Sequence, residues 1–160
     1  MAAQNAIGDQ GESIFSTRIS QDNIFKVYFL GEKAPIVDFL VEIIDEQNPY
    51  QCFIQVKSTT LGYNKKGNLK VSISEPKLKA LINRPLPTYI AGVDIQNEYV
   101  YIHPAFNHNM KITSIPINNK LSVANKVASV SVLQRLKQDI INYWTTINID
   151  NHKTQYNSIL

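Results

Sequence analysis

Residues 36–44 (IVDFLVEII) place the strongest constraint on what this chain can fold into. The segment is apolar and β-branched enough to be a buried strand, yet it carries two carboxylates. Side chains alternate between faces along a strand. Ile36, Asp38, Leu40, Glu42 and Ile44 therefore share one face, and Val37, Phe39, Val41 and Ile43 the other. A buried carboxylate costs several kcal/mol unless it is paired or put to use. The next strand, residues 52–58 (CFIQVKS), carries Phe53, Gln55 and Lys57 on one face. Two hairpin registers match these faces. Pairing Ile44 with Gln51 sets Asp38 opposite Lys57 and Leu40 opposite Gln55. A two-residue slip sets Asp38 opposite Gln55. Either one gathers Asp38, Gln55 and Lys57, because opposed residues have Cβ atoms about 5 Å apart. Glu42 lies roughly 13 Å further along the strand, too far to share an ion with Asp38 without a bulge.

The remaining elements are read from periodicity and from breakers. Residues 8–20 read as a helix with Glu12, Phe15, Ser16 and Ile19 on one stripe. Residues 24–30 read as a strand, and 31–35 and 45–50 as turns. Helix and strands together make a helix followed by a three-stranded meander. Residues 59–70 form a polar loop or small hairpin, with a short strand expected at 70–73. Ser74 is the expected N-cap of a helix that has Pro76 in its first turn and runs to Asn83, where Arg84-Pro85-Leu86-Pro87 stops it. Strands at 88–95 and 98–103 pair across Gln96-Asn97. Residues 104–128 are irregular. The longest helix spans 131–149 and buries Leu133, Leu136, Ile140, Tyr143 or Trp144, and Ile147. A polar tail at 150–160 is expected to fray. This order predicts a single α/β (or α+β) domain, residues 1–149, around a mixed sheet flanked by helices.

Composition excludes several classes. One cysteine, Cys52, in 160 residues rules out a disulfide framework or a cysteine zinc site within one chain. Apolar runs such as Phe39-Leu40-Val41 are broken by charges within a few residues, so no membrane helix is expected. The polar N-terminus lacks an apolar signal core, which suggests a cytoplasmic protein with no membrane partner. The net charge of +3 is concentrated: residues 57–84 hold seven basic residues against Glu75 alone, a local +6. A basic patch of this kind attracts polyanions. His103, at a strand end, and His108, in a loop, lack zinc-ligand spacing, as does His152. Gly62 and Gly67 do not form a phosphate-binding Walker loop.

The carboxylate and lysine admit two readings. One is a plain Asp38–Lys57 ion pair between strands. The other is a metal and phosphate site, in which a carboxylate and an amide or main-chain oxygen hold a hard cation and a lysine orients an attacking water. Gly11-Glu12, then Val37-Asp38-Phe39-Leu40-Val41-Glu42, then Phe53-Ile54-Gln55-Val56-Lys57-Ser58-Thr59 resembles the PD-(D/E)XK nuclease superfamily. More narrowly, it resembles a bacterial family known as domain of unknown function 4365. The strands around Tyr89-Ile90-Ala91-Gly92-Val93-Asp94 and Tyr99-Val100-Tyr101-Ile102 extend the likeness over roughly residues 8–106.

The resemblance implies a restriction-endonuclease-like core and a Mg²⁺- or Mn²⁺-dependent endonuclease. Asp38 would ligate the metal, with Gln55 in the second ligand position, the Val56 carbonyl as a further ligand and Glu12 nearby, while Lys57 would be the catalytic lysine. Gln55 is neutral where a carboxylate is more usual, as in the Mrr-like branch, and Val37 replaces the proline often found before the aspartate. Ser58 and Glu42 would support the site from outside it. Lys65, Lys66, Lys70 and Lys77 would contact nucleic acid, DNA ahead of RNA. Duplex cleavage would call for a homodimer. Bacterial defence, with a separate motor or sensor partner, is one setting, and DNA processing another. A nuclease-fold module that binds nucleic acid or protein without cutting is the alternative.

Overall fold

The computed structural model describes residues 2–31, 34, 36–106, 108, 110–121, 131–150 and 156–160. Helix α1 (Ala2–Ile19) and a 3-10 turn (Gln21–Asn23) lead into β1 (Phe25–Phe29), β2 (Phe39–Ile43) and β3 (Gln51–Thr59). Helix α2 (Glu75–Ile82) precedes β4 (Thr88–Asp94), β5 (Tyr99–Pro104) and β6 (Lys120–Leu121), and α3 (Val132–Asp150) follows. The strands form one mixed α/β sheet in chain order, antiparallel at every junction except β3–β4. A parallel junction needs a long crossover. The stretch that contains α2 supplies it, and Pro76 and Ser74 start that helix where the sequence sets them.

The alternation of β3 sorts the molecule into layers. Cys52, Ile54 and Val56 face a core made with Phe15 and Ile19 of α1 and Leu133, Leu136 and Ile140 of α3. Gln55 and Lys57 face the opposite way, toward a second cluster made of Leu78 and Leu81 of α2 with Leu69, Ile73, Ile112 and Ile115. Gly92 pairs with Lys57 in the β3–β4 register. A Cβ at Gly92 would overlap Ile115 and Leu69, so its missing side chain lets those loops lie flat on the sheet beside the lysine.

The structure corrects several boundaries. Helix α1 begins six residues earlier than residue 8. Residues 70–73 make no strand; Leu69 and Ile73 form isolated bridges to Ile115 and Ile112. The β4–β5 turn takes the four residues 95–98, not two, with Glu98 at φ 55°. The irregular stretch contributes β6; its residues 107, 109 and 122–128, and residues 32, 33 and 35 of the expected turn, lie outside the described residues. Cys52 is fully buried, and Tyr143 and Trp144 pack, the indole N–H donating to the Gln51 carbonyl. Among the described residues no helix is long and apolar enough to cross a membrane.

Of the expected tail, residues 151–155 lie outside the described residues, and the remainder departs most from expectation. Residues 156–160 are docked, and the fully buried Asp139 of α3 holds them. Its carboxylate accepts hydrogen bonds from the Tyr89, Tyr156 and Ser158 hydroxyls and from the Ile159 N–H. A buried carboxylate is tolerable when donors converge on it in this way. Asp139→Ala strands these donors and is expected to cost about 3 kcal/mol or more. Urea unfolding reads the loss directly, and an unchanged midpoint would show that the tail is not held there.

Candidate active site

The site arises where β2 and β3 part. Their ladder runs from Glu42↔Gln51 to Phe39↔Ile54, and the Asp38 N–H donates to the Ile54 carbonyl at 2.9 Å. This is the slipped register, with Asp38 across from Gln55; the alternative that set Asp38 opposite Lys57 is not formed. From there the chain bends away from β3 through Ile36, at φ 83°. β3 runs on to Thr59 with only β4 beside it. The Val56 N–H, on the opened edge, has no strand to bond. It donates instead to Asp38 Oδ2 at 2.7 Å.

Gln55 completes the arrangement. Its Nε2 donates to the same Asp38 oxygen at 2.8 Å and to the Val56 carbonyl at 3.1 Å. The amide nitrogen thus sits between two oxygens of the expected ligand set. The cleft is a cavity of about 480 Å³ lined by Glu12, Asp38, Gln55, Val56, Lys57 and Ser58, with Gln4 and Gly8 from the first turns of α1. A second cavity, about 230 Å³, opens on the α2 side of the same residues; Asp38, Gln55 and Lys57 line it together with Ile36 and Lys77. The three central side chains therefore form a wall shared by two openings.

Glu12 reaches the cleft because α1 lies close on β3. A Cβ at Gly11 would overlap both the Oγ and the Cβ of Ser58, so only glycine permits this approach. The Ser58 Oγ is buried there without a hydrogen-bond partner.

Burial outweighs ion pairing in this cleft. Burial raises the Asp38 carboxyl above its usual range, although the Val56 N–H and the nearby Lys57 both favour its charge. Burial likewise raises Glu12, with repulsion from Asp38 and Asp9 adding to it. Lys57 is pushed down, by burial first and by Lys77 second, against the pull of Asp38. Among the described residues Asp38 and Lys57 make no ion pair within 4.0 Å; the pairs that do form are Lys79–Glu75 and Lys137–Asp45. Acids pushed up and a lysine pushed down in one cleft are a pattern found at functional sites.

The other candidate residues fall elsewhere. Glu42 lies along β2 from Asp38 and accepts from Gln51 Nε2 at 2.7 Å, a structural pairing outside the cleft. Lys77 lines the second cavity, whereas Lys65, Lys66 and Lys70 are exposed and line neither. Gln4 lies outside the helix that the sequence predicts over 8–20, so only the longer α1 brings it to the cleft. The approach of His103 to His108 also escapes the sequence, because nothing in the spacing of a strand end and a loop announces their contact. No protein-family model, curated protein or solved structure matches the chain.

Two outcomes follow. Gly11→Ala forces α1 off Ser58 and is expected to cost about 1–3 kcal/mol. In a double-mutant cycle, Ser58→Gly should recover part of that loss, whereas strict additivity would deny the contact. The raised Glu12 carboxyl binds its proton more tightly in the folded chain than in the unfolded one. Its contribution to stability therefore falls as pH rises through the carboxylate range. Thermal midpoints of Glu12→Gln and wild type should nearly coincide at pH 4 and separate in favour of the glutamine at pH 7.5.

Proposed function

We propose that the chain is a metal-dependent nuclease that hydrolyses phosphodiester bonds, DNA ahead of RNA, with the Asp38 cleft as its active site. The observation that carries this reading is the convergence of Asp38, Gln55, Val56, Glu12 and Lys57 on one cavity, with Lys57 in no ion pair among the described residues. A structural ion pair would have brought the lysine to the aspartate.

The donor set suits a hard divalent cation, Mg²⁺ or Mn²⁺. Asp38 Oδ2 is engaged by two N–H donors, which leaves Oδ1 for a ligand. The Val56 carbonyl and Glu12 supply further oxygens. Gln55 offers oxygen only after its amide turns over, since its nitrogen now faces Asp38 and Val56. A cation bound there would neutralise phosphate charge and acidify a coordinated water. The Val56 N–H orients the Asp38 carboxylate. Lys57, with its charge disfavoured by burial and by Lys77, is suited to hold and deprotonate the attacking water and then to stabilise charge on the phosphate. Lys77 flanks the second opening, where the nucleic-acid backbone would leave the cleft. Lys65, Lys66 and Lys70 would add exposed positive charge nearby, and a homodimer would bring a second cleft to a duplex. Bacterial defence, with a separate motor or sensor partner, or DNA processing would be the setting.

The Gln55 nitrogen is also the observation that favours the second reading, a module that holds nucleic acid without cutting it. The two readings separate on substitution. Lys57→Ala should lower cleavage of plasmid or oligonucleotide DNA in Mn²⁺ by about 10²-fold or more and leave the unfolding midpoint within a few degrees. Gln55→Glu, which supplies a carboxylate, should retain or raise cleavage. Salt-sensitive DNA binding with no cleavage by wild type or Gln55→Glu would favour the binding module.

A further inference from the structure

The row of the sheet that carries Gln55 continues to a second cluster. Gln55 pairs with Ile90, and Ile90 pairs with His103, so His103 sits on the same face two strands away, about 10 Å from Gln55. Helix α2 and its cluster occupy this face, with Ile90, Leu78 and Leu81 buried in it. From the loop after β5, His108 turns back over His103. Its backbone N–H donates to the Ala105 carbonyl, and Ala105 in turn is bonded to Thr88. The two Nε2 atoms meet at 2.5 Å, with the ring centroids 4.8 Å apart.

Two imidazole nitrogens this close admit one proton between them. At least one ring therefore points an Nε2 lone pair at its partner and carries its own proton on Nδ1. Burial, with His108 adding, pushes His103 down to about 4, and burial also lowers His108, so neither ring is charged at neutral pH. Neutral imidazole is the metal-binding form.

We infer that His103 and His108 form a site for a borderline divalent cation such as Zn²⁺, separate from the oxygen-lined cleft. For both rings to bind through Nε2 and stay neutral, the proton now between the two nitrogens would move, by exchange with solvent, to Nδ1 of the ring that carries it. Zn–N bonds of about 2.0–2.1 Å at a tetrahedral angle set the two nitrogens roughly 3.3 Å apart. That opening of less than about 1 Å is within reach of a histidine on a loop. Imidazole selects such ions over Mg²⁺, whereas the carboxylate and carbonyl oxygens of the cleft prefer the hard cation. Among the described residues no third histidine, cysteine or carboxylate completes the cluster, so water or a bound partner takes the remaining positions. The bound ion would pin the loop after β5 to the sheet and raise the folding stability by mass action.

The test titrates Zn²⁺ into the Asp38→Ala chain, so that the cleft does not compete. One Zn²⁺ per chain is expected, with an affinity at least about tenfold weaker when His103→Gln or His108→Gln is added. In wild type, the ring-proton resonances of His103 and His108 should shift together on adding Zn²⁺, a readout that needs no variant to fold. Absence of uptake by the Asp38→Ala chain, or uptake indifferent to both histidines, would overturn the site. Neither result bears on cleavage at Asp38.

Discussion

The hydrogen bond from the Val56 N–H to Asp38 Oδ2 is the point on which the arrangement depends. A strand edge left open by a departing neighbour presents main-chain groups that need partners. Here the ladder between β2 and β3 ends at Phe39, and the side chain of Asp38, the residue just before β2, takes the place of the missing strand. One carboxylate thereby closes the ladder and heads the cleft. The same departure frees the Val56 carbonyl, which the Gln55 amide then meets. The cleft is thus the gap between two strands that have stopped pairing, lined by what their backbones leave unsatisfied.

Close packing holds this gap open on both sides. Gly11 brings α1 down on Ser58 so that Glu12 reaches the cleft, and Gly92 brings Leu69 and Ile115 down beside Lys57. The resulting burial works against the charged forms of Asp38, Glu12 and Lys57, a cost to stability that functional sites carry and that cores elsewhere offset. Two apolar clusters flank the sheet, and the Asp139 latch fastens the end of the chain to α3.

Much of this was legible in the sequence, and the limits have physical causes. The alternation in residues 36–44 gave the two faces of β2, and the Ser74–Pro76 signal placed α2, because both rest on local geometry. The same alternation gathered Asp38, Gln55 and Lys57, but it left two registers open; a shift of two residues keeps every side chain on its face, so hydrophobic pattern alone does not choose between them. The early turns of α1 escape the sequence reading because residues 3–6 are exposed and carry no apolar stripe. The docked tail was missed because polar composition conceals a convergence of donors on one distant carboxylate. The cation at residues 57–84 divides in three dimensions: Lys57 and Lys77 belong to the cavities, while Lys65, Lys66 and Lys70 stand outside them.

The proposed function stands on one event, the binding of a hard cation through Asp38 in the cleft between β2 and β3. Calorimetric titration of Mn²⁺ into wild type and Asp38→Ala, each with and without an oligonucleotide, tests it most directly. Uptake by wild type is expected to strengthen with the oligonucleotide and to disappear in Asp38→Ala. Absence of uptake by wild type even with DNA present, or equal uptake by both chains, would contradict it.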